Sequence, residues 1–161
     1  MKQVLNFFYA AAGAFILLSS AGCTDKNALI DQNNQVPDHN WTYLNTFGFS
    51  FKIDDDKIPY NLYVNLRVTA DYKYSNIFVM ITQTDPDKKT EIKRHEFKLA
   101  DQDGRWLGKG SGDLYSYQLP FRSNYRFPQS GIYHIYIEQN MRDNPLRHVS
   151  DVGLRVERAG Q

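Results

Sequence analysis

The chain has 161 residues, with 19 basic and 18 acidic side chains, four histidines and a single cysteine. This length allows one domain of ordinary size, and the balanced charge gives no basis for nucleic-acid binding or for a strong electrostatic hold on lipid headgroups. A single cysteine also excludes a disulfide within the chain.

The first 22 residues have the composition of an export signal. Lys2 provides a short positive region, residues 7–18 are apolar and uncharged, and the small residues 19–22 lead directly into Cys23. About 20 apolar residues are needed to cross the hydrocarbon core as a helix, so this stretch is too short for a permanent span. We therefore predict that residues 1–22 are a signal peptide removed during export.

The position of Cys23 directly after the small residues indicates a bacterial lipoprotein. In such proteins the thiol receives a diacylglyceryl group and the signal peptidase cuts just before it. The alternative is a plain signal peptide followed by an incidental, buried cysteine. Because each buried methylene contributes roughly 0.8 kcal/mol to membrane association, two or three acyl chains hold a protein stably. Lipidation of Cys23 thus predicts a protein fixed to a membrane.

Residues 23–40 are predicted to be the lipidated N-terminus and a polar tether. The segment is rich in Asn, Gln and Asp and contains Pro37. Fully extended at about 3.3 Å per residue, it would lift a domain clear of the headgroups. The short apolar patch 28–30 allows a second interpretation, in which part of the segment adds an edge strand to the following domain.

Beyond Asn40 the apolar residues alternate with the period of two that is typical of β-strands. In the stretch 76–84, residues 77–81 are all apolar, which predicts a central strand covered on both faces, whereas the charged stretch 92–99 suits a sheet edge. Residues 114–121 return to alternation. The other one-sided stretches are Phe47, Phe49, Phe51 and Ile53; Leu62, Val64, Leu66 and Val68; Tyr133, Ile135 and Ile137; and Val152, Leu154 and Val156.

Turn-forming sequences separate these stretches, among them residues 54–56, 85–87 and 143–145. Short strands spaced by such turns, without a convincing amphipathic helix, predict an all-β fold. We expect a single antiparallel β-sandwich over residues 41–161, of the jelly-roll or immunoglobulin-like type. Its many aromatic residues are sufficient to fill the space between two sheets.

No motif points to catalysis, a cofactor or a metal. The four histidines are scattered, and no nucleophile turn of the G-x-S-x-G type is present. The glycine spacing of residues 104–110 matches neither the P-loop nor the dinucleotide-binding pattern, and Asp101 and Asp103 have no closing glutamate of a calcium loop. We predict a protein that is not an enzyme. An envelope hydrolase would require His and carboxylate side chains to converge in a pocket.

The segment 103–113 is the most unusual part of the chain, because glycines surround one Trp and two cations. In one interpretation Trp106 turns inward and closes an end of the sandwich, while the glycines make the necessary bends. In the other the loop contacts a partner, since Trp and Arg are favoured in interfaces and binding residues concentrate on loops. The candidate partner-binding residues are Asp103, Arg105, Trp106, Lys109, Arg142 and Asp143.

Five blocks of sequence occur in a specific order: PYNLYVNLR at 59–67, YSNI at 74–77, DGRWLGKG at 103–110, RFPQSG at 126–131 and IEQNMR at 137–142. In this combination the chain resembles the GldH family of gliding-motility lipoproteins from Bacteroidetes, from about Val36 to Val156. The resemblance implies a cell-envelope lipoprotein linked to gliding motility and to the associated type IX secretion and surface-adhesin machinery. It implies no catalytic residue.

Two functional hypotheses follow. The first is a scaffold or assembly component that is held by a lipid on Cys23 and contacts other envelope proteins. Residues 24–27 are not rich in acids, which favours the periplasmic face of the outer membrane over the cell surface. The second is a glycan-binding module, which requires two or more coplanar, solvent-facing rings on one sheet. The candidate rings are those of Tyr115, Tyr117, Tyr133 and Tyr136.

Overall fold

The computed structural model describes residues 27–110 and 112–160. The predicted signal peptide and Cys23 lie outside these residues. The described part of the chain forms ten β-strands and one 3-10 turn, Pro37–His39. None of its helical segments is long and apolar enough to cross a bilayer.

Two antiparallel four-stranded sheets form the domain. The first sheet contains, in spatial order, β1 (Ala28–Gln35), β10 (Val149–Arg158), β4 (Tyr60–Thr69) and β7 (Leu114–Tyr125). The second contains β3 (Phe47–Ile53), β8 (Gly131–Gln139), β5 (Asn76–Thr84) and β6 (Thr90–Lys98). A further short pair consists of β2 (Asn40–Trp41) and β9 (Leu146–Arg147). The predicted antiparallel sandwich is confirmed, and the pairing of the first strand with the last gives it jelly-roll strand order.

The core lies between the two sheets and is built from the alternating residues. In β4, Leu62, Val64, Leu66 and Val68 are buried. Burial of one face alone fixes the register, because a shift by one residue would expose the whole apolar set. Aromatic rings fill the space towards one end of the core, where Phe127 packs against Tyr133 with ring centroids 4.5 Å apart.

The prediction that β5 is a central strand is confirmed, since it lies between β8 and β6, but the prediction that it is covered on both faces is wrong. Burial alternates along the strand: Ile77, Val79 and Ile81 lie in the core, and Phe78 and the other residues between them are half-buried on the outer face. The guanidinium carbon of Arg94 lies 3.9 Å from the centroid of the Phe78 ring. A cation from β6 therefore covers part of this outward apolar surface. The prediction that residues 92–99 form a sheet edge is confirmed, since β6 is the last strand of its sheet.

The polar tether predicted over residues 23–40 must also be corrected. Residues 28–35 form β1, an edge strand that pairs with β10 from Ala28↔Glu157 to Gln35↔Asp151. The edge-strand interpretation of the apolar patch therefore holds, and the sandwich begins at Ala28 instead of residue 41. The outward residues of β1 face solvent and are polar, which is why the sequence of this strand resembles a linker.

The strand directions give the sandwich two ends. The proximal end contains the start of β1 and the connections 54–59, 85–89 and 126–130. The distal end contains the connections 36–46, 70–75, 99–113 and 140–148. A strand of ten residues, such as β4, spans about 33 Å. The chain thus enters the domain about 30 Å from the distal connections.

Candidate functional site at the distal end

Trp106 packs against the core. Its ring centroid lies 5.5 Å from that of Tyr115 and 6.5 Å from that of the buried Tyr72, and its backbone forms a β-bridge with Ala100. The indole is half-buried. Of the two sequence-based interpretations, the structure has the inward one, so Trp106 is a packing residue and not an exposed anchor.

Arg105 is turned towards its own loop. Its guanidinium Nε and Nη2 each lie 2.9 Å from Asp101 Oδ2, and its backbone N–H donates to Asp101 Oδ1 at 2.8 Å. The backbone N–H of Asp103 donates to the same Oδ1 at 3.1 Å. Hydrogen bonding to the Arg105 backbone is the largest cause that lowers the pKa of Asp101. The Asp101 carboxylate therefore closes a turn, while the Asp103 side chain and most of the Arg105 side chain remain exposed.

Tyr72 and Tyr74 connect the two parts of the predicted contact surface. The Tyr74 hydroxyl donates to Asp143 Oδ2 at 2.6 Å, which raises the pKa of Tyr74. The Tyr74 ring also meets the Tyr72 ring at 6.0 Å, and Tyr72 in turn contacts Trp106. The structure thus brings residues 103–109 and 142–143 to the same end of the sandwich, although Asp143 and Trp106 do not touch directly.

The exposed part of this end includes residues that the sequence analysis missed. Leu44 is 93% exposed and Tyr43 is 46% exposed. The Tyr43 hydroxyl donates to the Met141 carbonyl at 2.7 Å, which places Tyr43 beside the exposed Arg142. We call Tyr43, Leu44, Arg105 and Arg142 the distal surface. Tyr43 and Leu44 follow soon after Trp41, so the sequence alone suggests that they are buried. Only the structure shows that both side chains are exposed.

A cleft of about 410 Å³ adjoins the distal surface at Arg142. Phe78 and Met141 contribute apolar walls, and Arg94 Nε donates to Asn140 Oδ1 at 2.7 Å. Two guanidinium groups, those of Arg94 and Arg142, therefore border a mostly apolar cavity. Such a cavity can accept an apolar side chain with a carboxylate beside it.

Comparison with known proteins identifies the family. The family model described as GldH lipoprotein matches residues 28–156, from β1 into β10. The chain belongs to the GldH lipoprotein family. A protein of Christiangramia forsetii named "Gliding motility lipoprotein GldH homolog" is 31% identical over 152 residues, covering 90% of this chain and 92% of the relative. "Gliding motility lipoprotein GldH" of Flavobacterium johnsoniae is 29% identical over 151 residues, covering 89% of this chain and 91% of the relative.

Among solved structures, the subviral particle of infectious bursal disease virus VP2 aligns with a TM-score of 0.34 at 14% identity. The alignment covers 79% of this chain and 30% of the VP2 chain.

The aromatic platform required by the glycan hypothesis does not form in this GldH-family domain from the four candidate rings. Tyr133 and Tyr117 are buried, and burial raises the pKa of each to about 12. Tyr115 is half-buried beneath Trp106, and Tyr136 is 40% exposed on the outer face of the second sheet. Only one of the four rings thus faces solvent substantially, so the hypothesis loses its aromatic basis.

Metal and hydrolase sites have no support in the described residues of the GldH-family domain. No group of three or more His, Cys, Asp or Glu side chains among them is arranged to hold a metal ion. The Ser50 hydroxyl lies 2.7 Å from His134 Nδ1, but the two residues are opposite each other on the outer face of β3 and β8. This Ser-His contact lies on a flat sheet face, not in a pocket where a carboxylate joins it.

Proposed function

We propose that this protein is a lipid-anchored, non-enzymatic component of the gliding-motility apparatus and of the secretion and adhesin machinery linked to it. In this proposal it is a scaffold whose distal surface docks an envelope protein. Membership of the GldH lipoprotein family carries the proposal, because the curated relatives are named for gliding motility. The sandwich supports a binding role, since Leu44, its most exposed large apolar residue among those described, lies with Tyr43 at the end opposite the N-terminal entry.

The anchor in this proposal is a lipid on Cys23, with the domain on the periplasmic face of the outer membrane. Only residues 24–27 separate Cys23 from β1. At up to about 3.6 Å per residue, the five steps from Cys23 to Ala28 reach about 18 Å at most. The proximal end is therefore held close to the lipid, and the distal surface is directed away from it.

The partner in this proposal is a protein segment that combines apolar and acidic side chains. Leu44 and Tyr43 offer apolar contact area, and aromatic residues and Arg are enriched in interfaces. The side chain of Arg142 is exposed and has no ion-pair partner among residues 27–110 and 112–160. A carboxylate that enters the cleft between Arg94 and Arg142 would find two cations without displacing an existing ion pair.

Metabolic labelling with palmitate tests the anchor. We expect the native protein to incorporate labelled palmitate and to fractionate with membranes, and the Cys23→Ala variant to do neither. An unlabelled native protein would contradict the lipid anchor.

Photo-crosslinking in whole cells tests the distal surface. A photoreactive amino acid at Leu44 or Arg142 is expected to give the same envelope-protein adduct. The same probe at Lys88, an exposed position at the proximal end, serves as the matched control and is expected not to give it.

The double variant Leu44→Ser/Arg142→Glu is expected to abolish this adduct and the spreading of colonies by gliding. Its thermal unfolding midpoint should remain unchanged, because both side chains are exposed. Normal spreading by this variant, or an adduct obtained only from Lys88, would rule out the distal surface as the docking site.

A further inference from the structure

A groove of about 610 Å³, lined by both polar and apolar groups, lies on the outer face of the first sheet, beside the distal surface but separate from its four residues. Its floor follows a cross-strand row of outward residues. The row runs from Asn33 on β1 through Gly153 on β10 and Asn65 on β4 to Gln118 on β7. Residues 107–109 of the distal loop form one wall.

Gly153 allows the Asn33 side chain and the β1 backbone to pack closely on β10 in the middle of this row. A Cβ at this position would lie 2.2 Å from Asn33 Oδ1 and 2.4 Å from the carbonyl oxygen of Gln32. Any other residue would therefore displace both the Asn33 side chain and the β1 backbone. Glycine weakens a strand interior and often marks close approach of a ligand or another backbone. Here it lets the Asn33 amide lie over β10, in the middle of the row.

The groove offers hydrogen-bonding groups at both ends of the row. Asn65 Nδ2 donates to Asp31 Oδ1 at 2.7 Å, and Arg67 is paired with Asp151 Oδ2 at 3.4 Å. In contrast, the side-chain amides of Asn33 and Gln118 have no hydrogen-bond partner within residues 27–110 and 112–160. The Cα atoms of Asn33 and Gln118 are three inter-strand spacings apart, about 14 Å. This spacing suits an extended chain of several units.

Two lysines add positive charge to one side of the groove. Lys98 and Lys109 line it, both are exposed, and neither has an ion-pair partner in the described part of the chain. The acidic residues of the lining, Asp31 and Asp151, are already paired with Arg155 and Arg67. The available charge is therefore cationic, which complements a ligand carrying carboxylates.

The construction of the groove disfavours a peptide. Strand addition needs a free backbone edge, but Lys109 and Ser116 exchange two backbone hydrogen bonds of 2.8 Å along the open edge of β7. Pro120, further along the same strand, has no N–H to offer. Among the described lining residues, Leu107 is the only large apolar side chain that is mostly exposed. The lining thus offers a peptide one prominent apolar side chain and no free strand edge at Lys109 and Ser116.

We propose that this groove binds an acidic polysaccharide chain. The side-chain amides of Asn33 and Gln118 form hydrogen bonds with the hydroxyl groups of the polysaccharide, because an amide, like a hydroxyl, both donates and accepts hydrogen bonds. Lys98 and Lys109 bind its carboxylates. The site is independent of the proposed function and of the aromatic platform, since it uses neither the distal surface nor an exposed ring.

Titration calorimetry on the detergent-purified lipoprotein tests the proposal, with a galacturonic acid hexamer as the probe and polyglutamate of equal charge as the comparison. We expect Lys98→Glu/Lys109→Glu to weaken hexamer binding at least tenfold. The matched control Lys88→Glu/Lys93→Glu makes the same charge change outside the groove and should weaken it less than twofold. Asn33→Ala/Gln118→Ala should weaken it at least fivefold, with unchanged thermal midpoints.

Absence of hexamer binding at millimolar concentration would overturn the proposal. So would an equal loss in the Lys88/Lys93 control, which would mean general charge attraction. A third outcome would assign the groove to a peptide instead. In that case polyglutamate would bind as strongly as the hexamer, and Asn33→Ala/Gln118→Ala would weaken the binding of both. The groove variants are expected to keep the adduct from Leu44, so failure here is distinguishable from failure of the docking proposal.

Discussion

The hydroxyl of Tyr74 donates a 2.6 Å hydrogen bond to the carboxylate of Asp143, and this contact joins two connections that are far apart in the sequence. Tyr74 precedes β5 and Asp143 follows β8. Lys73 Nζ lies 3.9 Å from the same carboxylate oxygen. One half-buried carboxylate therefore helps to hold the distal connections together.

Loss of this hydrogen bond should lower stability. Tyr74→Phe is expected to reduce the free energy of unfolding by about 1 kcal/mol, because a hydrogen bond to a charged group is lost at a half-buried position. Urea denaturation provides the measurement. Tyr136→Phe removes a hydroxyl from an exposed ring with no hydrogen bond among the described residues, and its effect should stay within about 0.5 kcal/mol. Equal effects of the two variants would refute the role of the Asp143 contact.

Trp106 and Leu107 are neighbours that should respond differently to truncation. Trp106→Ala removes a half-buried indole from Tyr72 and Tyr115 and should cost about 2–3 kcal/mol of unfolding free energy. Leu107→Ala removes a side chain that is 53% exposed and should cost less than about 0.5 kcal/mol. Thermal and urea unfolding of both variants check this prediction, and a stable Trp106→Ala variant would contradict the packing role.

Gly108 should not tolerate a side chain, because a Cβ there would lie 2.6 Å from Cζ of the buried Tyr117 ring. The Tyr117 hydroxyl also donates to the Leu99 carbonyl at 2.9 Å, so the ring cannot move freely. Gly108→Ala should therefore lower the unfolding free energy by about 1–3 kcal/mol.

Gly48 provides the matched control for Gly108. A Cβ there would lie 2.9 Å from Cε1 of Tyr136, whose ring is 40% exposed and can swing into solvent. We expect Gly48→Ala to cost less than about 1 kcal/mol. Equal costs at the two glycines would show that burial of the ring does not decide the outcome.

His95 should make the domain less stable in mild acid. Partial burial beside Phe97 and Phe121 is the main cause that lowers its pKa, and Lys93 and Arg122 lower it further, while Glu91 acts in the opposite direction. The unfolded chain, with an ordinary histidine pKa of about 6.5, then binds the proton more readily than the folded chain. The stabilisation is therefore complete above about pH 6.5 and is lost as the pH falls through the lowered folded-state pKa.

The effect of His95 is measured by comparing thermal midpoints at pH 7.5 and pH 5.5. The native protein should lose more stability between these values than His95→Gln does, each compared with its own midpoint at pH 7.5. The same loss in both proteins would mean that His95 does not contribute to the pH dependence.

Local patterns predicted the strands whose two faces differ. In β4, Leu62 to Val68 alternate with polar residues, and this period reports directly which face is buried. Only the apolar patch 28–30 indicated β1 as an edge strand, because the Asn and Gln residues on its exposed part resemble a linker. Phe78 was predicted to be buried because it lies in an apolar run. The sequence does not show that it points outward and that Arg94 lies against its ring.

The candidate site was predictable as a set of residues but not as an arrangement. The glycine-rich loop drew attention to Arg105 and Trp106, yet their orientations depend on Asp101 and Tyr72, which the local pattern does not connect to them. The groove on the outer face of the first sheet depends on strand order. No spacing rule places Asn33 and Gln118 in one row, because β1 and β7 become part of one sheet only through β10 and β4.

The pairing of β1 with β10 has a consequence for biogenesis. Among the described residues β1 pairs only with β10, the last strand of that part of the chain. On the proposed export route the N-terminus emerges first, so β1 remains unpaired until nearly the entire polypeptide has been translocated. Any acylation or signal cleavage during translocation would then act on a chain whose first sheet is still incomplete.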